Sequence, residues 1–220
     1  MELESESINA YLHLLINDYN CAETTKSTFI DTFAMTSIWN GKIPRLKIKP
    51  MEYGVILGIV NKHHHWMLVV IYPQDKRLVF LDPLGESKQD IQTCRATTRA
   101  FMRKMGCNIS RWTCDTVMHP KQTDATSCGL FTLKFAEKIL RKEKISFPTT
   151  KKEINKHRMK IATTLLLSTD DLSNLCHFCG EKNTDIEDIW IQCDDCFRWY
   201  HLQCVGNPDP QQDYVCFACQ

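Results

Sequence analysis

The chain has 220 residues, 43 % of them apolar and 24 % charged, which excludes disorder as the main state and fits one medium domain with a small one. The net charge of +1 excludes a uniformly basic nucleic-acid binder, but the charge is divided, with ten acids and two bases from residue 170 onward against sixteen acids and twenty-five bases before it. Two modules of opposite sign are therefore expected. No apolar run approaches the ~18 residues of a membrane span. The amino terminus, MELESESINA, is acidic rather than signal-like, so no membrane partner and an intracellular, reducing compartment are expected. Twelve cysteines then point to metal or catalysis rather than to disulfides.

In chain order, residues 6–19 place Ile8, Tyr11, Leu12, Leu15 and Ile16 at helical spacing. Three β-branched and aromatic runs follow, at 55–60, 65–72 and 77–82, with turn residues between them, and read as adjacent strands of a buried sheet. Residues 88–105 read as a helix and 112–118 as a further strand. From Ser127 a helical pattern runs to about Lys142, with Phe131, Phe135 and Ile139 on one face. Thr150 and Glu153 form a capping box that predicts a helix to about Leu167. Residues 141–160 hold eight bases and two acids. They read as a solvated helix face, with an import signal or weak nucleic-acid patch as the alternative and no further nucleic-acid binding expected. The short polar stretch at 169–173 reads as a linker between a domain over 1–168 and one over 174–220.

Seven of the twelve cysteines fall in the last 45 residues. With His201 they form four pairs with two intervening residues each: Cys176 and Cys179, Cys193 and Cys196, His201 and Cys204, Cys216 and Cys219. Such a pair is a tight turn that brings two ligands to one tetrahedral zinc, so eight ligands fill two closed structural sites. A segment of about 45 residues cannot bury enough apolar surface to fold alone, so the metals supply folding energy.

In the first module Cys128 stands at the start of a helix, where partial positive charge favours a thiolate, and is followed by Gly129. His65 opens one strand and Asp82 closes the next, which is the arrangement that a base and its carboxylate orienter need. Gln122, six residues before Cys128, lies in a loop from which an amide could donate to an oxyanion. His63 and His64 read as loop residues. His119 is a weaker alternative base. Cys21, Cys94, Cys107 and Cys114 have no paired spacing and read as ordinary thiols.

The motifs HWMLVVI (65–71), LVFLDPLG (78–85) and QTDATSCGLF (122–131) resemble the Ulp/sentrin-specific protease family and its adenoviral protease relatives, over about residues 3–167. The resemblance implies an α+β, papain-like thiol protease that cleaves after the Gly-Gly tail of a ubiquitin-like protein, of SUMO type. Carried over by motif, Cys128 is the nucleophile, His65 the base and acid, Asp82 the orienter and Gln122 the oxyanion donor, with Trp66 lining the channel for the tail. This chain departs in having Asp124 where the family has asparagine and Ser127 where it has aspartate. The family's upstream tryptophan also falls on Glu2, so either the channel wall is incomplete or the amino-terminal segment is truncated and the true start lies upstream.

The terminal pattern resembles the PHD finger over residues 174–220, because its histidine stands fifth among the ligands. That resemblance implies cross-bracing, with Cys176, Cys179, His201 and Cys204 on one zinc and Cys193, Cys196, Cys216 and Cys219 on the other, and His177 surplus. It also implies a histone-tail partner and a nuclear location. Trp190 and Trp199 fall where methyl-lysine readers carry cage aromatics, whereas Leu175 offers no third wall. The alternatives to a chromatin-targeted protease are an inactive scaffold or histone-tail reader and a transposon-derived, adenain-like peptide protease.

Overall fold

The computed structural model describes residues 3–169, 176–179, 189–217 and 219. The chain divides into two compact units, residues 1–165 and 166–220. The expected linker beyond residue 169, the tryptophan position at Glu2 and the missing cage wall at Leu175 lie outside the described residues.

The first unit is built on a five-stranded sheet in the order β1-β2-β3-β4-β5. Its strands are β1 (Ser27–Ile30), β2 (Val55–Lys62), β3 (His65–Tyr72), β4 (Arg77–Leu81) and β5 (Thr113–Asp115). The two outer pairings are parallel, and β2-β3-β4 is an antiparallel meander with Val60 opposite Met67 and Leu68 opposite Leu81. Helices cover both faces, which is why the central strands read as unbroken apolar runs rather than as alternations. Trp66, Leu68 and Val70 of β3 join α1 (Ser5–Ala22) and α4 (Cys128–Leu140) in one core. Met67, Val69 and Ile71 join α2 (Thr32–Trp39) and α3 (Lys88–Lys104) in the other.

The expected α1, the three central strands, α3 and α4 form within a few residues of their expected bounds. The strand expected over 112–118 is shorter, because Trp112 turns into the core and donates its indole N–H to the Asn108 carbonyl. The last helix, α5 (Lys151–Thr169), starts where Thr150 accepts the Glu153 N–H at 3.4 Å. Several bases of the 141–160 segment are occupied within the domain. Arg141 lies 3.0 Å and Lys160 3.8 Å from the buried Glu137 carboxylate, and Lys142 lies 2.9 Å from Glu23.

Sequence reading missed β1 and α2. Asp31 caps α2 by accepting the N–H groups of Phe33 and Ala34, and Asn9 of α1 binds both the N–H and the hydroxyl of Thr32. The Asn9 contacts span 23 residues and leave no local pattern, while the Asp31 cap is a local signal.

In the second unit, β6 (Trp190–Gln192) pairs antiparallel with β7 (Trp199–His201). Ile191 and Tyr200 face a small core with Cys176, Cys193 and Cys216. No described helix is long and apolar enough to cross a membrane.

Candidate active site and metal centres

The turn between β2 and β3 consists of His63 and His64 alone, both left-handed with φ of 53° and 64°. This is the primed turn that suits the twist of a two-residue hairpin, here made by histidines instead of asparagine and glycine. It delivers His65 to the sheet end where Asp82 follows β4. The His65 Nε2 lies 2.6 Å from Asp82 Oδ1, and both side chains are largely shielded. Asp82 Oδ1 also accepts the Leu84 N–H at 2.8 Å, so the turn after β4 fixes the carboxylate.

Because Asp82 takes Nε2, Nδ1 is the ring nitrogen of His65 left over, and the Cys128 thiol is near enough to act on the charge of the ring. Burial works against a charge on His65. The hydrogen bond to Asp82 and the influence of both partners, Asp82 and Cys128, outweigh it, and the imidazole is pushed up to about 9. The site is thus arranged to hold an imidazolium on His65, between Asp82 and Cys128.

Cys128 is the first residue of α4 and is buried. Its Sγ also lies 4.0 Å from the His64 carbonyl. A Cβ on Gly129 would stand 3.2 Å from both Trp66 Cδ1 and Leu3 Cβ, so the glycine lets the indole lie against the helix start. Trp66 is 4 % exposed, and its N–H donates to the Leu3 carbonyl at 3.1 Å.

The glutamine loop is tied to the Asp82 turn, since the Gln122 N–H donates to the Pro83 carbonyl at 2.8 Å. The Gln122 side chain is buried, and its Nε2 donates to the Asp124 carbonyl at 2.7 Å, which occupies one of its two amide hydrogens.

His119 is engaged elsewhere. It is buried, with Nδ1 2.9 Å from the Pro120 carbonyl and Nε2 against Glu86. The same carboxylate takes the Asp82 N–H at 3.0 Å and the Lys121 ammonium at 3.1 Å. Burial would raise Glu86, but these hydrogen bonds hold its carboxyl well below the usual range. The cluster braces the Asp82 turn from behind, a role the sequence pattern did not suggest. Cys94 and Cys114, distant in sequence, act on each other's thiols. The contact with Cys114, together with burial, pushes the Cys94 thiol up, and Cys114 is drawn down by the same contact.

In the second unit the eight candidate ligands converge as two sets: Cys176, Cys179, His201 and Cys204, and Cys193, Cys196, Cys216 and Cys219. The ligand atoms within each set all lie within 4.8 Å of one another. The first and third pairs thus share one centre and the second and fourth the other, while His177 belongs to neither. Sulfur ligands at the zinc bond length stand about 3.8 Å apart on a tetrahedron. The Sγ atoms of Cys196 and Cys216 are 3.8 Å apart and those of Cys216 and Cys219 3.6 Å apart, while His201 Nδ1 lies 3.4 Å from Cys179 Sγ. Backbone N–H groups of His201 and Cys216 donate to Cys176 and Cys193, as thiolate ligands require. The donor sets fit two structural zinc ions. Trp190 and Trp199 share one face of the hairpin, because Trp190 pairs with His201 and Trp199 with Gln192. Trp190 packs edge-on against the His201 ring, and Trp199 is 41 % exposed.

Residues 3–169 match the model of the Ulp1 protease family, C-terminal catalytic domain. The chain belongs to that family. Residues 176–219 match the PHD-finger model. Human sentrin-specific protease 2 is 27 % identical over 159 residues, 66 % of this chain and 27 % of that protein. Transcription factor bye1 of Schizosaccharomyces pombe is 42 % identical over 41 residues, 18 % of this chain and 6 % of that protein. The chain thus spans about a quarter of the length of the sentrin-specific relative. The fold is also that of the yeast Ulp1 protease domain solved in complex with Smt3, the yeast ortholog of SUMO. That match has a TM-score of 0.63 at 15 % identity and covers 76 % of this chain and 77 % of the other.

Proposed function

We propose that the first module, with 169–173 as its linker to the second, hydrolyses the bond after the terminal Gly-Gly of a SUMO-type ubiquitin-like protein. It would do so in maturing a precursor or in releasing the protein from a lysine. The observation that carries this is the 2.6 Å contact of His65 Nε2 with Asp82, which leaves Nδ1 to the Cys128 thiol. In this reading Asp82 stabilises the imidazolium, and the Cys128 thiolate attacks the glycine carbonyl. The remaining Gln122 amide hydrogen supports the oxyanion. His65 gives its proton to the departing amine, leaving a thioester, then takes one from water to hydrolyse it. Trp66 would form the wall of the channel for the Gly-Gly tail.

The second module would hold the protease on a histone tail in the nucleus. Its exposed Trp199 beside Trp190 offers two walls for a methylammonium, and its ten acids against two bases suit a basic tail. A second reading, a weakly catalytic binder of the same partner, is favoured by the burial of Trp66 under Leu3.

A panel of ubiquitin-like proteins carrying carboxy-terminal electrophiles tests the first module. SUMO is expected to label the wild-type chain and not Cys128→Ser, while Cys114→Ser labels normally. Labelling that persists in Cys128→Ser sinks the assignment. Labelling without turnover of the matching amide substrate selects the second reading. For the finger, methylated and unmodified histone peptides are titrated into the full chain and into Trp199→Ala, and binding that ignores both methylation and the tryptophan removes the reader role.

A further inference from the structure

The segment that carries Gln122 to the nucleophile is locked by a side chain 31 residues beyond its last residue, Ser127. The Asp124 carboxylate accepts the Thr126 N–H at 2.8 Å and the Ser127 hydroxyl at 2.6 Å. The Ser127 hydroxyl in turn accepts Arg158 Nη2 at 2.8 Å, and the same nitrogen reaches the carbonyl and hydroxyl of Thr126 at 3.1 and 3.2 Å. Arg158 comes from α5, so one helix fixes the loop that precedes another. Burial would raise Asp124, but the hydrogen bonds from Ser127 and Thr126 and the Arg158 charge hold its carboxyl below the ordinary range.

Two consequences reach the reacting atoms. The Asp124 carbonyl, held in place by this lock, is the acceptor that orients the Gln122 amide at 2.7 Å. Ser127 occupies the N-cap position of α4, where a serine normally accepts one of the helix's first N–H groups. Its side chain makes no cap bond here, because its hydroxyl is committed between Asp124 and Arg158. The first turn of α4, which carries Cys128, therefore keeps its N–H groups free of this competitor.

We propose that Arg158, acting through Ser127 and Asp124, is a positioning residue for the oxyanion site. It sets the Gln122 amide through the Asp124 carbonyl. The inference rests on the reading of Cys128 as nucleophile and Gln122 as donor.

The test uses the full chain and two reactions of the same thiol. Alkylation by iodoacetamide forms no oxyanion, whereas hydrolysis of SUMO carrying a carboxy-terminal aminomethylcoumarin amide does. Displacing a positioned group by a fraction of an ångström costs on the order of 10- to 100-fold in rate. Arg158→Ala is expected to lower kcat for the amide by that factor, with KM and the alkylation rate within about twofold of wild type. Ser127→Ala, which removes one oxygen only, is expected to show the same split, and the double variant to be no worse than the weaker single one. Arg158→Lys can still donate from that point and is expected to recover most of the loss. The proposal is overturned if Arg158→Ala keeps amide turnover, if alkylation falls in parallel, or if lysine is as poor as alanine. Absence of amide turnover in the wild-type chain, or its survival in Cys128→Ser, refutes instead the proposed function on which the inference stands.

Discussion

Asp82→Asn isolates the charge that poises His65. The ordinary histidine value of 6.5 and the value of about 9 reached here differ by about 3 kcal/mol of preference for the imidazolium. Burial opposes that preference, and Asp82 and Cys128 share in supplying it. Asparagine keeps the shape and can still accept the Leu84 N–H, but removes the charge. If about half of the preference belongs to Asp82, His65 falls by about one pH unit, or ~1.4 kcal/mol. Amide hydrolysis needs the imidazolium to protonate the amine, so its rate should decline as pH rises through the His65 value. The assay is the pH dependence of kcat for a SUMO carboxy-terminal amide. Wild type should lose activity near pH 9, and Asp82→Asn about one unit lower, with kcat at neutral pH little changed by the shift itself. A thioester substrate, whose leaving group needs no proton, should show no such decline. The same linkage has a stability counterpart. Because the folded value is raised, the stabilisation is complete below pH 6.5 and is lost as pH rises through about 9. An alkaline limb that stays in place in Asp82→Asn would refute the assignment of His65 as the proton donor held by Asp82.

Elemental analysis should find two zinc ions per chain, and a chelator should expose residues 176–219 to proteolysis while the thermal transition of the first unit stays in place, since only the finger uses metal; one zinc or none contradicts the cross-brace. Glu137 is buried and held low because Lys134, Lys160 and Arg141 outweigh the cost of burial, so Glu137→Ala should cost about 3 kcal/mol in urea unfolding at neutral pH. Its lowered carboxyl contributes above the ordinary carboxylate range, so the gap between wild type and variant should narrow as pH falls below 4, and a gap independent of pH removes the ionic explanation. The double substitution His63→Asn and His64→Gly suits the left-handed turn better and should raise the urea midpoint by about 1 kcal/mol of stability; no gain means the turn is not strained by its histidines.

Much of this protein is legible without coordinates wherever the signal is local. The β2-β3-β4 strands announce themselves as apolar runs because a sheet covered on both faces demands them. The zinc ligands announce themselves because a two-residue gap is the geometry of the turn that binds metal. His65, Asp82 and Cys128 are visible because each stands at the end of a recognisable element, and Gln122 because it lies in the loop six residues before Cys128. What tertiary structure alone decided has no such periodicity. β1 has four residues, too few to show an alternation, and α2 is an eight-residue helix apolar on most sides, so hydrophobic spacing could not separate it from a strand. The pairings of His119 with Glu86, Cys94 with Cys114 and Arg158 with Ser127 join residues 33, 20 and 31 positions apart, in each case across separate elements. Trp66 is expected to line a channel beside the histidine, but only the fold shows what packs on it: Gly129 admits the indole and the chain at Leu3 covers it. Sequence spacing records what one element does with its own neighbours, and these contacts depend on how separate elements are brought together by the packing of a sheet on both faces.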